Sequence, residues 1–122
     1  MKTGQNITSK KSFEFALIIV ETYKYLVKEK REFVLSKQLL RSGTSIGANI
    51  YESLSAESKN DFIHKLSIAL KEGQETEYWL KLLLESQYLS LEKYHSCFDK
   101  LFEITKVLKS SILTTKQRYN LK

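Results

Sequence analysis

The chain has 122 residues, 42% apolar and 28% charged, with no proline, four glycines, one cysteine and a formal net charge of +6. That suffices for one domain with its own core and is too little for two. The lone Cys97 excludes an internal disulfide framework, and the longest apolar run, residues 15–20, is far short of the roughly 20 residues that span a bilayer.

With no signal-peptide pattern at the start, the composition suits a cytoplasmic, all-α protein with short connections and no membrane association. Residues 1–8 carry no pattern and, like 115–122, are expected to fray. Helix 1 is then expected to start near Ser9 or Ser12, either of which could cap it, and to run to about Lys30. Its polar positions Glu14, Glu21, Lys24 and Lys28 fall on one narrow stripe. Phe13, Phe15, Ala16, Leu17, Ile18, Ile19, Val20, Tyr23 and Leu26 occupy most of the remaining circumference. One bundle core cannot bury all of these, so a second copy of the chain is expected to cover some, with Phe15, Ile18 and Ile19 the candidates for burial only on assembly.

Helix 2 is expected over 33–54 and holds an internal conflict. Leu39, Gly43, Ile46, Ile50 and Leu54 share one helical face, and Arg41, Ser45, Asn49 and Glu52 share another. Yet Gly43 and Gly47 each cost about 1 kcal/mol relative to alanine inside a helix. Such a segment must be clamped by neighbours, and its small side chains allow another backbone to approach closely. After a polar break at 55–60, Ser58 with Asp61 makes a capping-box-like start for helix 3. Expected to be the longest, it runs to about Gln87 with Phe62, Leu66, Ala69, Gly73, Thr76, Leu80 and Leu83 at core spacing. Ser90 then caps helix 4, whose stripe is Tyr94, Cys97, Phe98, Leu101, Thr105, Leu108 and Ile112. Four amphipathic helices with short links predict a single antiparallel up-and-down four-helix bundle over 1–122.

The run from Arg41 through Ile50, RSGTSIGANI, the segment from Phe62 through Leu70 with Glu75 and Glu77, and Gln87-Tyr88-Leu89-Ser90 carry a resemblance that spans nearly the whole chain. It resembles the small bacterial four-helix proteins first noticed as reading frames in intervening sequences of large-subunit ribosomal RNA genes. The accessory variability proteins of diversity-generating retroelements look like relatives. Where much of the family continues the asparagine motif with Glu-Gly, this sequence has Glu52-Ser53. The resemblance implies a four-helix protomer assembling into a five-fold ring, with no established enzymatic activity. For the retroelement relatives it also implies a basic role in binding nucleic acid and a reverse transcriptase.

Charge can be read without the family. Residues 1–32 carry a net +3, 33–56 carry +1, 57–87 carry −2 and 88–122 carry +4. The surplus therefore sits on helices 1 and 4, where Lys10, Lys11, Lys106, Lys109, Lys116 and Arg118 are the candidate contacts to DNA or RNA. Such groups attract phosphate backbones without sequence preference. The polar stripe of Arg41, Ser45, Asn49 and Glu52, with Glu75 and Glu77 on helix 3, reads as a network fixing register between helices or subunits. There Arg41 can pair with a carboxylate, Asn49 can satisfy backbone groups, and Glu77, close to the core side, is expected to be paired.

Chemistry candidates are few. Asp61-x-x-His64 and Glu92-x-x-His95 echo the carboxylate and histidine pairs of di-iron bundles. Each pair opens its helix, however, and antiparallel neighbours put those openings roughly 35–40 Å apart. His95-x-Cys97 lacks two further ligands at zinc spacing. The residues 43–47 lack the ending and preceding strand of a phosphate-binding loop. No cofactor, metal or catalytic set is expected. The sequence reads as a non-enzymatic, homo-oligomeric scaffold for nucleic acid or a nucleic-acid-processing protein, the alternative being a protein-binding adaptor without nucleic-acid affinity.

Overall fold

The computed structural model describes the backbone of residues 2–121 and the side chains of residues 7–121. It consists of α1 (Lys2–Lys28), α2 (Leu35–Ser53), α3 (Lys59–Glu85) and α4 (Leu91–Arg118), with no strand among the described residues. The links at 29–34, 54–58 and 86–90 are short, so each helix must return along its predecessor. α2 packs against α1 and α3, and α4 against α3 and, more lightly, α1, while among the described residues the diagonal pairs stay apart. This is the all-α four-helix bundle that the apolar spacing predicts.

Two caps sit where the sequence places them. Ser58 accepts a hydrogen bond from the Asp61 N–H at 3.0 Å, and Ser90 accepts one from Lys93 at 3.1 Å. The other ends differ. α1 starts at Lys2 instead of near Ser9 or Ser12, and α4 continues to Arg118, so helix covers much of both stretches expected to fray. Ser12 lies inside α1, fully buried, with its hydroxyl donating to Ser9 O at 2.9 Å. α1 ends at Lys28, and Arg31 turns the chain with a left-handed φ of 54°. At 28 residues α4 is the longest helix, one more than α1 and α3.

α3 stops at Glu85, before the expected Gln87. Gln87 instead takes a left-handed φ of 71°, while its own N–H reaches Leu84 O and the Tyr88 N–H reaches Leu83 O, closing the helix end. The departure at Ser53 costs the α2 terminus nothing in backbone geometry. The following Leu54 has φ −68° and ψ −19°, open to any residue, and the buried Ser53 hydroxyl donates to Ile50 O.

α2 starts at Leu35, two residues later than expected, and its N-cap position, Val34, makes no side-chain cap. Glu32 does that work. Its carboxylate accepts from the N–H groups of Val34 at 3.2 Å, Leu35 at 2.9 Å and Ser36 at 2.6 Å, and the Ser36 hydroxyl returns to Glu32 O. Burial alone would push the Glu32 carboxyl upward, but the hydrogen bonds to Leu35, Ser36 and Val34 outweigh it and hold it below the usual glutamate value. A lowered folded-state pKa stabilises fully above the unfolded value and is lost as pH falls through the folded one. The melting temperature should therefore drop more on going from neutral pH to about pH 3 in the parent than in Glu32→Gln, which should begin about 0.5–2 kcal/mol less stable. Equal acid sensitivity in both chains would show that this cap does not carry the pH dependence.

One apolar core joins all four helices through Phe15, Ile19, Leu26, Leu39, Ile46, Ile50, Leu66, Ala69, Leu80, Leu83, Cys97, Leu101, Ile104 and Leu108. On α3, Ile63 is buried and Phe62 only half-buried; on α4, Ile104 is buried while Tyr94, Phe98, Thr105 and Ile112 sit at the edge. The α4 stripe is thus rotated toward Ile104, the side on which α1 approaches through Lys11 at Glu103 and Thr22 at Cys97. Phe15 and Ile19 are buried within the protomer and Ile18 half-buried, contrary to the expectation that assembly would cover them. Phe13 and Leu17 are the ones left out, at 65% and 53% exposure. The buried Cys97 thiol lies 3.4 Å from the Thr22 hydroxyl, and burial pushes its pKa up, away from the reactive thiolate. Among the described residues, no helix is long and apolar enough to cross a membrane.

Candidate nucleic-acid interface

α4 carries an acidic residue, Glu92, in its first turn and Lys116 and Arg118 in its last, matching the helix dipole at both ends. Lys106 and Lys109 are exposed and Lys116 half-buried, and their spacing puts all three on one outer side of the helix. Phe102, 58% exposed, and Leu113, 57% exposed, lie on that same side among the lysines. The charge count does not reveal these two. Their signal is helical spacing, since Phe102, Lys106, Lys109 and Leu113 follow one another at three- and four-residue steps that the core stripe does not use.

The remaining basic candidates divide. α1 and α4 are neighbours, as a merged patch requires. Lys10 is exposed, but Lys11 lies between the two helices in an ion pair with Glu103 at 3.0 Å. The hydrogen bond and charge of Lys11 lower the Glu103 pKa, and the pair takes one cation out of the patch. Arg118 also leaves it. Two positions beyond Lys116, it is turned about 160° around the axis and lines a cleft on the other side of α4.

The second set of candidates lies along the α2–α3 seam. Arg41 reaches across to Glu75 and, at 3.4 Å, to Glu72; the Trp79 indole N–H donates to the same Glu75 carboxylate at 2.9 Å. Glu52 pairs with Lys65 at 2.9 Å, a contact that raises the Lys65 pKa. Ser45 and Asn49 stay on their own helix: the Ser45 hydroxyl donates to Arg41 O and the Asn49 amide to Ser45 O. Deeper in the seam, the hydroxyls of Thr76 and Ser42 are hydrogen-bonded to one another at 2.9 Å. Glu77 departs from expectation. It is exposed and makes no hydrogen bond or ion pair among the described residues, because it stands one step of about 100° beyond Thr76 on the core line. It acts at a distance, its charge adding to the burial that raises the Tyr94 pKa.

Both histidines are exposed. His95 Nδ1 lies 3.1 Å from Asp99 on the next turn, and among the described residues no three of His, Cys, Asp or Glu gather as a metal site would need.

The cleft that takes Arg118 has a volume of about 390 Å³ and lies at one end of the bundle, where α2 and α4 finish and α3 begins. Leu54, Phe62, Val107 and Tyr119 form its apolar wall, and Lys59 stands at its edge with its ammonium 4.7 Å from the centre of the Tyr119 ring.

A family model described as 23S rRNA-intervening sequence protein matches residues 5–110, most of all four helices. The chain belongs to this family. A crystal structure of a family-level neighbour, a protein of unknown function from the S23 ribosomal protein family of Bacteroides thetaiotaomicron, is similar at 56% identity. The match covers 89% of this chain and 97% of that one, with a TM-score of 0.88. No curated protein shows significant similarity. The intervening-sequence family thus accounts for the four-helix fold, and the residues beyond 110, with Lys116, Arg118 and Tyr119, fall outside the matched stretch.

Proposed function

We propose that the chain is a non-enzymatic, homo-oligomeric cytoplasmic scaffold that binds nucleic acid, or a protein that processes it, through the basic face of α4. The observation that carries this reading is the run of Lys106, Lys109 and Lys116 with the exposed Phe102 and Leu113 among them. Ammonium groups meet phosphates in any sequence, and an exposed ring offers a face on which an unpaired base can stack.

Oligomerisation is supported by Phe13 and Leu17, one turn apart on the outer side of α1, and by Tyr51, 70% exposed, on the adjoining α2. Adjacent large apolar side chains of this kind are normally covered by a partner. The resemblance to the retroelement accessory proteins supports five subunits. Five copies at +6 each would carry about +30, strengthening the field that draws in a polyanion. The same apolar surfaces favour the second reading, a protein-binding adaptor without nucleic-acid affinity.

Sedimentation at micromolar concentration should give an oligomer near five subunits, and arbitrary duplex DNA or single-stranded RNA should bind with an affinity that falls steeply as salt rises. A stable monomer would remove the scaffold. An oligomer with no binding at low ionic strength would leave the adaptor.

A further inference from the structure

The cleft at the end of the bundle differs in chemistry from the lysine face. Its lining includes two cations, Lys59 and Arg118, and no carboxylate. Glu52, Glu57 and Asp61 each adjoin a lining residue in sequence, but none is part of the lining: Glu52 pairs with Lys65, and Asp61 accepts a hydrogen bond from the Glu57 N–H at 3.2 Å. Lys59 is the first residue of α3, so the opening turn of that helix adds backbone donors and the positive end of its dipole.

The side of the cleft formed by α4 presents Ser110, Ser111, Thr114 and Thr115. Elsewhere in the bundle, Thr22, Thr44, Ser45, Thr76 and Thr105 donate their hydroxyls to carbonyls of their own helices. The four hydroxyls at the cleft donate to no group among the described residues. A row of available donors, two cations and an apolar wall therefore meet in one space. Its volume of about 390 Å³ falls within the roughly 300–1,000 Å³ of small-molecule sites.

We infer that this cleft binds a nucleoside 5′-phosphate, as a free mononucleotide or as the phosphorylated end of a strand. Lys59 and Arg118 take the phosphate, whose charge of about −2 at neutral pH they balance. The α4 hydroxyls serve the phosphate and the sugar, and the base lies against Phe62 and Tyr119. Arg118 and Tyr119 lie beyond the stretch matched by the family model, so half of this constellation belongs to the chain's own C-terminal end. The site is independent of the basic-face reading, because it opens on the other side of α4 from Lys109 and Lys116.

The test is calorimetric titration of the full chain with adenosine 5′-monophosphate, adenosine and inorganic phosphate, in salt high enough to suppress diffuse polyanion binding. The monophosphate should bind saturably, and adenosine and phosphate should each bind more weakly. Lys59→Ala and Arg118→Ala should each weaken the monophosphate by about tenfold or more, the loss expected for a charge-assisted hydrogen bond. Both side chains are exposed, so the variants should keep the parent's helical circular dichroism.

A 5′-phosphorylated oligonucleotide that binds more tightly than its 5′-hydroxyl twin makes the strand end the source. Equal binding of the twins alongside saturable monophosphate binding makes the free nucleotide the source. Absence of saturable monophosphate binding, or binding indifferent to both substitutions, overturns the site. Inorganic phosphate binding as tightly as the monophosphate overturns the nucleoside assignment.

Discussion

Gly43→Leu should lower the melting temperature by roughly 5–15 °C or prevent folding, the cost of forcing an over-large side chain into a packed core. A Cβ placed on Gly43 would lie 2.9 Å from both Ile19 Cγ1 and Cγ2, and Ile19 is fully buried and branched at its own Cβ, so it has little room to yield. The gain of about 1 kcal/mol in helix propensity does not offset overpacking of typically 1–3 kcal/mol and sometimes more. Gly47→Leu should be harmful for a related reason. Its Cβ would meet the Ser12 hydroxyl at 3.2 Å and the Ser12 backbone oxygen at 3.4 Å, and a backbone atom cannot swing away. Thermal melts followed by circular dichroism decide the point. Unchanged or raised melting temperatures in both variants would mean that α1 and α2 do not approach one another at these glycines.

The second large effect concerns binding. Replacing Lys106, Lys109 and Lys116 with glutamate removes three positive charges, adds three negative ones and takes the chain from +6 to zero, all on one side of α4. Nucleic-acid binding should be abolished at moderate salt. Any residual binding should show a log–log salt slope shallower by about three, roughly one unit for each lost phosphate contact. Assembly should survive, because the three side chains flank the core line of Cys97, Leu101, Ile104 and Leu108 without occupying it. A small loss of stability is expected at position 116, where a carboxylate opposes the helix dipole at a cost of about 0.3–1 kcal/mol. Filter binding across a salt series, with sedimentation of the same samples, separates these effects. A triple variant that binds as well as the parent would show that the lysine face is merely solvated.

How much of this was legible beforehand depends on the range of the interaction concerned. Helix number and type could be read because apolar side chains at three- and four-residue steps, uninterrupted by proline, have no other regular structure in which to line up. Ser58 and Ser90 could be read because a cap joins a side chain to a backbone N–H three residues on. The start of α1 could not. Ser12 offers the same local hydroxyl chemistry as a cap, and only its burial against α2 shows that it belongs inside the helix. Glu32 is not recognisable from sequence as the cap of α2, because a glutamate must fold back from outside the helix to reach its N–H groups, and its residue type does not announce that.

The sequence by itself therefore determined four helices, their order and the need for a close approach at Gly43 and Gly47, since each follows from periodicity or residue size along one segment. Tertiary structure decided which side of an almost uniformly apolar α1 would turn inward, burying Phe15 and Ile19 and leaving Phe13 and Leu17 outside. A helix apolar on most sides has no preferred orientation until its neighbours supply one. Helix periodicity alone turns Arg118 away from Lys116, but tertiary structure decided that it would join Lys59 and Phe62 at a cleft. Those residues lie more than fifty positions apart in the chain, and no local pattern couples their directions before the helices pack.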